Sequence, residues 1–508
     1  MVWRICCAAA LCLMSVTSAQ AEKPTKKVGP QPVSVLAGKA QGWTGMGFKP
    51  RLALYERIFE MSALSIDAQG TQLSRRPTVN NLFRVGLRYT SRRGLKPVAL
   101  TLEYEHDLWS GVIVGGSDGD LGVFMPDAAP LVEQTLRKAY LRVTASKWLT
   151  MAAGFMTSHW GLGLIANDGA HTHRPGSARF TDPRGGDRVL RFMIASGPHS
   201  RLGLRVFAAA DKVMGDDVLI EGDTAYQIVG GFLVGKAPYQ LGMYGVYRTS
   251  RSAAGRDTRV GVVDIFGSFE VSLNAKLSLR LSTEVAVILG RTALAPSADF
   301  PEHDVFQLGA VIRAELKGER FGAVLDIVYA SGDRDFDDQG QNAFRADRNF
   351  TLGLLLFRHV LAAQTGRSPV SASDPELVGY PADDLDRFPT RGSVTNTLAF
   401  FPRFWFRAAD GLELYGGPLI ALAAVDYSDP LHTRLAGGAN RNPLGGTPGA
   451  FYGVEIDLGI RYHTLIHGTR LMLGLEAAIF MPGSAFTGAD GTTMDLVYGG
   501  RGLFSYEF

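Results

Sequence analysis

The side chains best suited to chemistry gather first in two short stretches. His171-Thr172-His173, with Asp168 and Asp182 nearby, offers two imidazoles two residues apart, a spacing that can share one metal ion. The stretch is also rich in Gly and Pro, which favours a solvated loop over a metal site. Asp333-Arg334-Asp335-Phe336-Asp337-Asp338-Gln339-Gly340 sets carboxylates at alternate positions, like the start of a calcium loop. Its glycine falls two residues late and no Glu closes the pattern, so an acidic surface loop is the expectation. Neither stretch is expected to hold a metal. No Gly-x-Ser-x-Gly elbow and no phosphate-binding loop occurs, and no nucleophile is paired with a base. An enzymatic role and a bound cofactor are therefore not expected.

A third set of charged side chains is dispersed, one or two at a time, through stretches of strict alternation. In Leu277-Ser278-Leu279-Arg280-Leu281-Ser282-Thr283-Glu284-Val285-Ala286-Val287 one face is apolar and the other holds Ser, Arg and Glu. Tyr452-Gly453-Val454-Glu455-Ile456-Asp457-Leu458-Gly459-Ile460-Arg461-Tyr462 repeats the pattern, with tyrosine at both ends of one face. Successive side chains of a strand point to opposite faces, so this is a β pattern. The strands are long, aromatic residues sit at their ends, and the polar face holds Arg, Glu and Asp. These features favour an inverted arrangement, apolar outside and polar inside, over a soluble sandwich.

Short turns and long polar loops alternate along the whole chain, as in barrels with short periplasmic turns and longer outer loops. The fold expected is all-β, a transmembrane antiparallel β-barrel of about 18 strands. The strands are expected near 50–67, 81–91, 97–107, 133–144, 148–157, 188–196, 201–210, 225–235, 239–248, 259–271, 275–289, 304–316, 320–331, 394–407, 411–425, 451–464, 469–481 and 495–508. Phe350-Thr351-Leu352-Gly353-Leu354-Leu355-Leu356-Phe357 is kept inside the loop 332–393, since a further strand would make the count odd. Pro402 falls within an expected strand and predicts a bulge there.

The phase of each strand names the inward-facing residues. The basic ones include Arg84, Arg88, Arg142, Arg205, Arg280, Arg313 and Arg461, with Arg403 and Arg501 among the rest; the acidic ones include Glu103, Glu284, Glu315, Glu455 and Asp457, with Glu105, Asp264, Asp326, Glu413 and Glu476 among the rest. Two readings of this lining stand side by side: a ladder of paired charges holding the wall, or an arginine track that guides an anionic solute.

Composition agrees with the barrel. The 508 residues carry 52 Lys+Arg against 49 Asp+Glu, and 46% are hydrophobic. That excludes disorder and argues against nucleic acid as a partner. The three cysteines, Cys6, Cys7 and Cys12, all lie in an N-terminal apolar run, Ile5 to Val16, between Arg4 and the small-residue site Ala19-Gln20-Ala21. Residues 1–21 are expected to be a cleaved signal peptide, 22–49 a short periplasmic segment and 50–508 the barrel. The last strand, with Phe504, Tyr506 and Phe508 on one face, resembles the segment by which the outer-membrane assembly machinery recognises barrels. That machinery and outer-membrane lipid are the expected partners, in a Gram-negative bacterium.

Three loop passages resemble alginate-export-type outer-membrane barrels, in particular uncharacterised delta-proteobacterial ones. They are Trp160 to Gly169 followed by Gly185-Gly186-Asp187-Arg188-Val189, then Tyr329-Ala330-Ser331-Gly332-Asp333, then Met481-Pro482-Gly483-Ser484-Ala485-Phe486. The resemblance implies an 18-strand channel with a strongly basic lumen that passes a polyuronate. This sequence departs from that pattern, because its inward charges are mixed. The leading expectation is a passive channel for polar solutes, anionic saccharides among those considered, narrowed by an inward-folded loop within 332–393. The alternative is a plugged barrel with a structural or surface-recognition role and no transport.

Overall fold

A computed structural model describes residues 47–91, 98–115, 133–170, 173–297, 299–336, 338–372 and 383–508; the side chains of 74–76 and 133 are left aside. The expected signal peptide, most of the segment 22–49, part of the turn after Ser91, most of the loop 108–132, His171, Thr172 and Asp337 lie outside the described residues.

Each alternating stretch forms a strand. In chain order they are β1 (Phe48–Ser65), β2 (Gln72–Thr90), β3 (Ala99–Val114), β4 (Glu133–Thr144), β5 (Thr150–Thr157), β6 (Arg188–His199), β7 (Leu204–Gly215), β8 (Thr224–Lys236) and β9 (Tyr239–Arg251). There follow β10 (Asp257–Asn274), β11 (Leu277–Thr292), β12 (His303–Lys317), β13 (Phe321–Ala330), β14 (Thr397–Ala409), β15 (Leu412–Ala423), β16 (Phe451–Ile466), β17 (Thr469–Pro482) and β18 (Val497–Glu507). Each pairs antiparallel with its neighbours, and β18 pairs with β1, so the sheet closes into an 18-strand transmembrane barrel. At the seam Phe508 N donates to Leu52 O (2.8 Å). Closure leaves no unpaired edge, the condition for strands to cross hydrocarbon.

The faces are inverted as the alternation predicts. Leu475 is 65% exposed and Ile228 66%, whereas Arg84, Arg461, Glu455 and Asp457 are each 0% exposed. Phe504, Tyr506 and Phe508 lie on the outward face, beside outward residues of β1 and β17.

Pro402 does not form a bulge. It stays in register with Leu325 of β13. The β14–β15 ladder is interrupted between Phe400↔Ile420 and Phe404↔Gly416 and resumes unshifted. That register sets Pro402 opposite Pro418, and neither has an N–H to give the ladder.

The connection between β13 and β14 turns into the barrel. Its Gly340–Gln341 makes a short parallel pairing with β12. Leu356–Leu361 is a π-helical turn that runs on into the α-helix Ala362–Ala372; the two together are α1. Leu354, Leu355, Leu356, Phe357, Val360 and Leu361 are buried in the main apolar cluster with wall residues such as Val328, Phe401 and Phe480. The segment 350–357 is thus neither a wall strand nor a solvated loop, but apolar filling for the lumen.

Candidate functional site

All twelve residues assigned to the lining face the barrel interior, the faces being fixed by the strand registers. Their surroundings divide them. Arg84 bonds Asp107 through two N–H groups (2.5 and 2.9 Å). Arg313 holds Asp326 in the same two-pronged way (2.5 and 3.1 Å). Arg461 reaches Glu476 at 3.2 Å. Arg88 and Lys138 stand 3.9 and 3.6 Å from Glu103, and Glu315 lies 3.5 Å from Lys317. Arg280 donates to Ser268 (3.4 Å) and Arg205 to Gly235 O (3.4 Å). Arg142 lies opposite Thr101 of β3. Arg84–Asp107, Arg313–Asp326 and Arg461–Glu476 are buried cross-strand pairs, whereas Arg88–Glu103 is partly exposed and Glu315–Lys317 lies within one strand.

The pairs do not use up the arginine N–H groups, and the rest reach inward to the loop 158–187. Arg403 donates to Ala178 O (3.0 Å), Arg501 to Thr181 O (3.2 Å) and Arg84 to Pro183 O (3.0 Å). Arg461 donates to Arg179 O, and Arg137 to both Gly185 O and Asp168 O. Carbonyls 179, 181, 183 and 185 are alternate ones, which point the same way along an extended chain. The arginines that receive them stand on β16, β18, β2 and β4, every second strand. The carboxylates that steady those arginines, Glu476, Asp107 and Glu105, stand on the strands between. An extended peptide ribbon therefore lies on an arginine rail around one side of the lumen. Arg57 adds an ion pair to Asp182.

Wall carboxylates hold the same loop by accepting N–H groups, Glu284 and Asp264 from the far side of the barrel and Glu413 from β15 beside the rail. Glu284 accepts from Leu162 N and from Leu164 N (3.1 Å), Asp264 from Trp160 Nε1 (3.1 Å) and Glu413 from Gly176 N (2.5 Å). The glycines of the loop make this approach possible. Gly161 has φ +54°, and a Cβ there would stand 2.4 Å from Glu284.

A further wall carboxylate caps α1. Glu455 accepts from the amides of Leu354, Leu355 and Leu356 at 2.5, 2.8 and 2.7 Å. These amides precede or open the helix and have no helical acceptor of their own. At the long-loop end, Arg387 grips Asp223 (2.6 and 2.9 Å) and Arg256 binds Asp384 (2.6 Å), strapping the stretch 383–391 to neighbouring loops.

Two sequence expectations change here. The loop 158–187 was expected to be a solvated outer loop; it lies inside, because buried arginines offer its carbonyls better partners than the mouth would. His173 is buried beside Thr181 Oγ1 (3.4 Å), and burial, then Arg461, push it down to about 3, so it is neutral. Among the described residues no three His, Cys, Asp or Glu side chains gather as metal ligands. Asp333 accepts from the amides of Asp335 (3.2 Å) and Asn342 (3.0 Å), as a turn-forming Asp does. The alternation did not flag Arg57 and Arg137. Arg57 sits between two glutamates in a stretch of ambiguous phase, and a register shift between Glu105 and His106 brings both Arg137 and Lys138 inside.

Fold and interior together define a wide transmembrane β-barrel with a charged wall and inward-folded loops. No protein-family model matches the chain, and no curated protein matches it. Solved structures similar to it come from Pseudomonas aeruginosa. OccK9 (OpdG) is 10% identical, with 91% of this chain and 98% of that one covered at a TM-score of 0.50. OprD is 11% identical, with 91% and 95% covered at 0.47. The outer membrane protein OpdK is 10% identical, with 91% and 98% covered at 0.46. At such identities the likeness concerns the fold.

Proposed function

We propose that the protein is an outer-membrane channel of a Gram-negative bacterium that passes small polar solutes passively. The observation that carries this reading is a closed 18-strand wall whose interior is lined with paired charges. Eight strands are filled by their own side chains, while 16 to 18 leave room for an aqueous path unless something plugs it. The path would pass beside the two inward segments, 158–187 and 344–372, and needs no cofactor.

Within this reading the lining residues that keep exposure, Arg88, Arg142, Arg205, Arg280 and Glu103, set the charge seen by the solute, and their arginine excess favours anionic solutes. Uronate-bearing saccharides are the finer reading, supported by the arginines and by the resemblance of three loop passages to alginate-export-type barrels. Cleavage after Ala21 and recognition of the strand ending in Phe508 by the assembly machinery complete the proposal. A second reading, a plugged barrel that recognises a surface partner, draws its support from the ribbon that occupies the arginine rail.

Planar-bilayer conductance in unequal salt separates the two. A channel gives discrete single-channel steps with weak ion selectivity. Replacing 176–185 by a short glycine-serine linker then raises the step size. A folded barrel that stays silent both before and after that replacement decides for the recognition role.

A further inference from the structure

Among the described residues, one region of the outer wall stands out. In β1 the buried residues Tyr55, Arg57, Phe59 and Met61 face inward, so Glu56, Ile58 and Glu60 face outward. Across the seam Glu56 pairs with Phe504, Ile58 with Gly502 and Glu60 with Gly500. The glycines leave a gap beside the two carboxylates. The gap continues over Ala477 of β17 and Gly416 of β15, between Leu475 and Phe404, as a groove of about 1130 Å³. A smaller groove of about 420 Å³ adjoins it and is lined by Glu56, Ile58 and Phe504.

The depth of Glu56 makes this unusual. A tilted strand climbs about 2.5 Å per residue along the membrane normal, so Glu56, level with Phe504, lies about 10 Å above Phe508, inside an apolar band about 25 Å tall. Carboxylates there are rare and mark a partner or a pathway. Glu56 Oε2 is buried and has no hydrogen-bond partner among the described residues. The cation that acts on it electrostatically, Arg184, lies inside the barrel and is held by Asp182 (3.0 Å) and Asn80 O (3.0 Å).

We propose that the glycine-floored groove over β14–β18 and β1 seats a membrane-embedded element of a second protein, which brings a basic side chain to Glu56 and Glu60. Lipid chains match the apolar floor, but their headgroups stay at the band edge and leave Glu56 without a countercharge. A second copy of this chain brings the wrong charges. Basic side chains of its outer wall such as Arg259 and Arg291 stand at the long-loop end of their strands and face Asp257 and Asp304.

The test uses the whole barrel in phosphatidylcholine nanodiscs and an apolar membrane-spanning peptide with one central lysine, compared with its glutamine counterpart. The lysine peptide is expected to associate about tenfold more tightly. Glu56→Gln with Glu60→Gln should remove that preference, and Ala477→Phe, which fills the groove, should block both peptides. Equal binding of the two peptides, or a preference that survives the glutamine substitutions, overturns the proposal and leaves a lipid seat. In cells, a photo-crosslinker at Ile58 should yield a discrete protein adduct that disappears with Glu56→Gln. Adducts to lipid alone, or to a second copy whatever residue 56 is, overturn it as well.

Discussion

The two segments that enter the lumen are held there by opposite means. The ribbon 176–185 is gripped mainly by its backbone, with arginines on its carbonyls and Glu413 on the Gly176 amide, and secondarily by Phe180, packed on Phe401 and Tyr415, and Asp182, paired with Arg57. The segment 350–372 is gripped by its side chains, six apolar ones being buried between Leu354 and Leu361, and by one carboxylate at its amide end. A backbone grip depends on the sequence of the wall far more than on that of the segment it holds, here with the exceptions of Phe180 and Asp182. An apolar grip depends on both surfaces fitting. The first segment should therefore answer to changes in the wall, the second to changes in itself.

The largest effect expected is that of Phe357→Ala. Emptying so buried a site costs roughly 3–5 kcal/mol. Amide exchange should then quicken through 352–372 and leave 176–185 slow; exchange that quickens in both would show that the two segments form one unit. Next comes Arg461→Met, which removes the donor to Arg179 O and one partner of Glu476. Hydrogen bonds to a charged group put this at about 2 kcal/mol. Here exchange should quicken around 179–181 and not in α1. Raising the salt should not mimic it, since buried pairs are screened little. Glu455→Gln keeps the shape and removes the charge, costing about 1–2 kcal/mol at the start of α1. It is read as faster exchange at Leu354, Leu355 and Leu356 alone.

The smallest effect lies outside both segments, at Asp333. Burial raises its carboxyl to about 6. The folded loop therefore prefers the protonated form, and ionisation weakens it at neutral pH. Stability of 331–342 should rise as pH falls through about 6, and level off once the unfolded-state carboxyl is protonated too. Protection factors corrected for intrinsic exchange, compared with Asp333→Asn, measure it. A rise that persists in the Asn variant would assign the effect elsewhere.

The strands were legible in the sequence because lipid outside and charge inside impose a strict period of two. All eighteen expected strands correspond to observed ones, and the observed ones often run further, as with Gln72–Thr90 against an expected start at 81. The segment 350–357 was legible as a misfit, being too apolar for a loop and one strand too many. The ribbon was not legible. What it offers the wall is mostly backbone carbonyls, which every residue has, and its own letters are those of an exposed loop. The usable signal lay on the wall, where arginines recur on alternate strands with N–H groups to spare. Glu56 escaped notice because Glu-Arg neighbours, Glu56 and Arg57, leave the phase of β1 open until Arg57 is seen to face Asp182.

The loop 158–187 touches β10 and β11 through Asp264 and Glu284, and β2 and β4 through Arg84 and Arg137. These strands lie on nearly opposite sides of a ring of eighteen. A hollow cylinder yields easily to squeezing from its sides, and a stay fixed to both walls stops it from flattening. The polypeptide threaded through the middle thus lends the cylinder stiffness against lateral pressure from the surrounding lipid, whatever passes beside it.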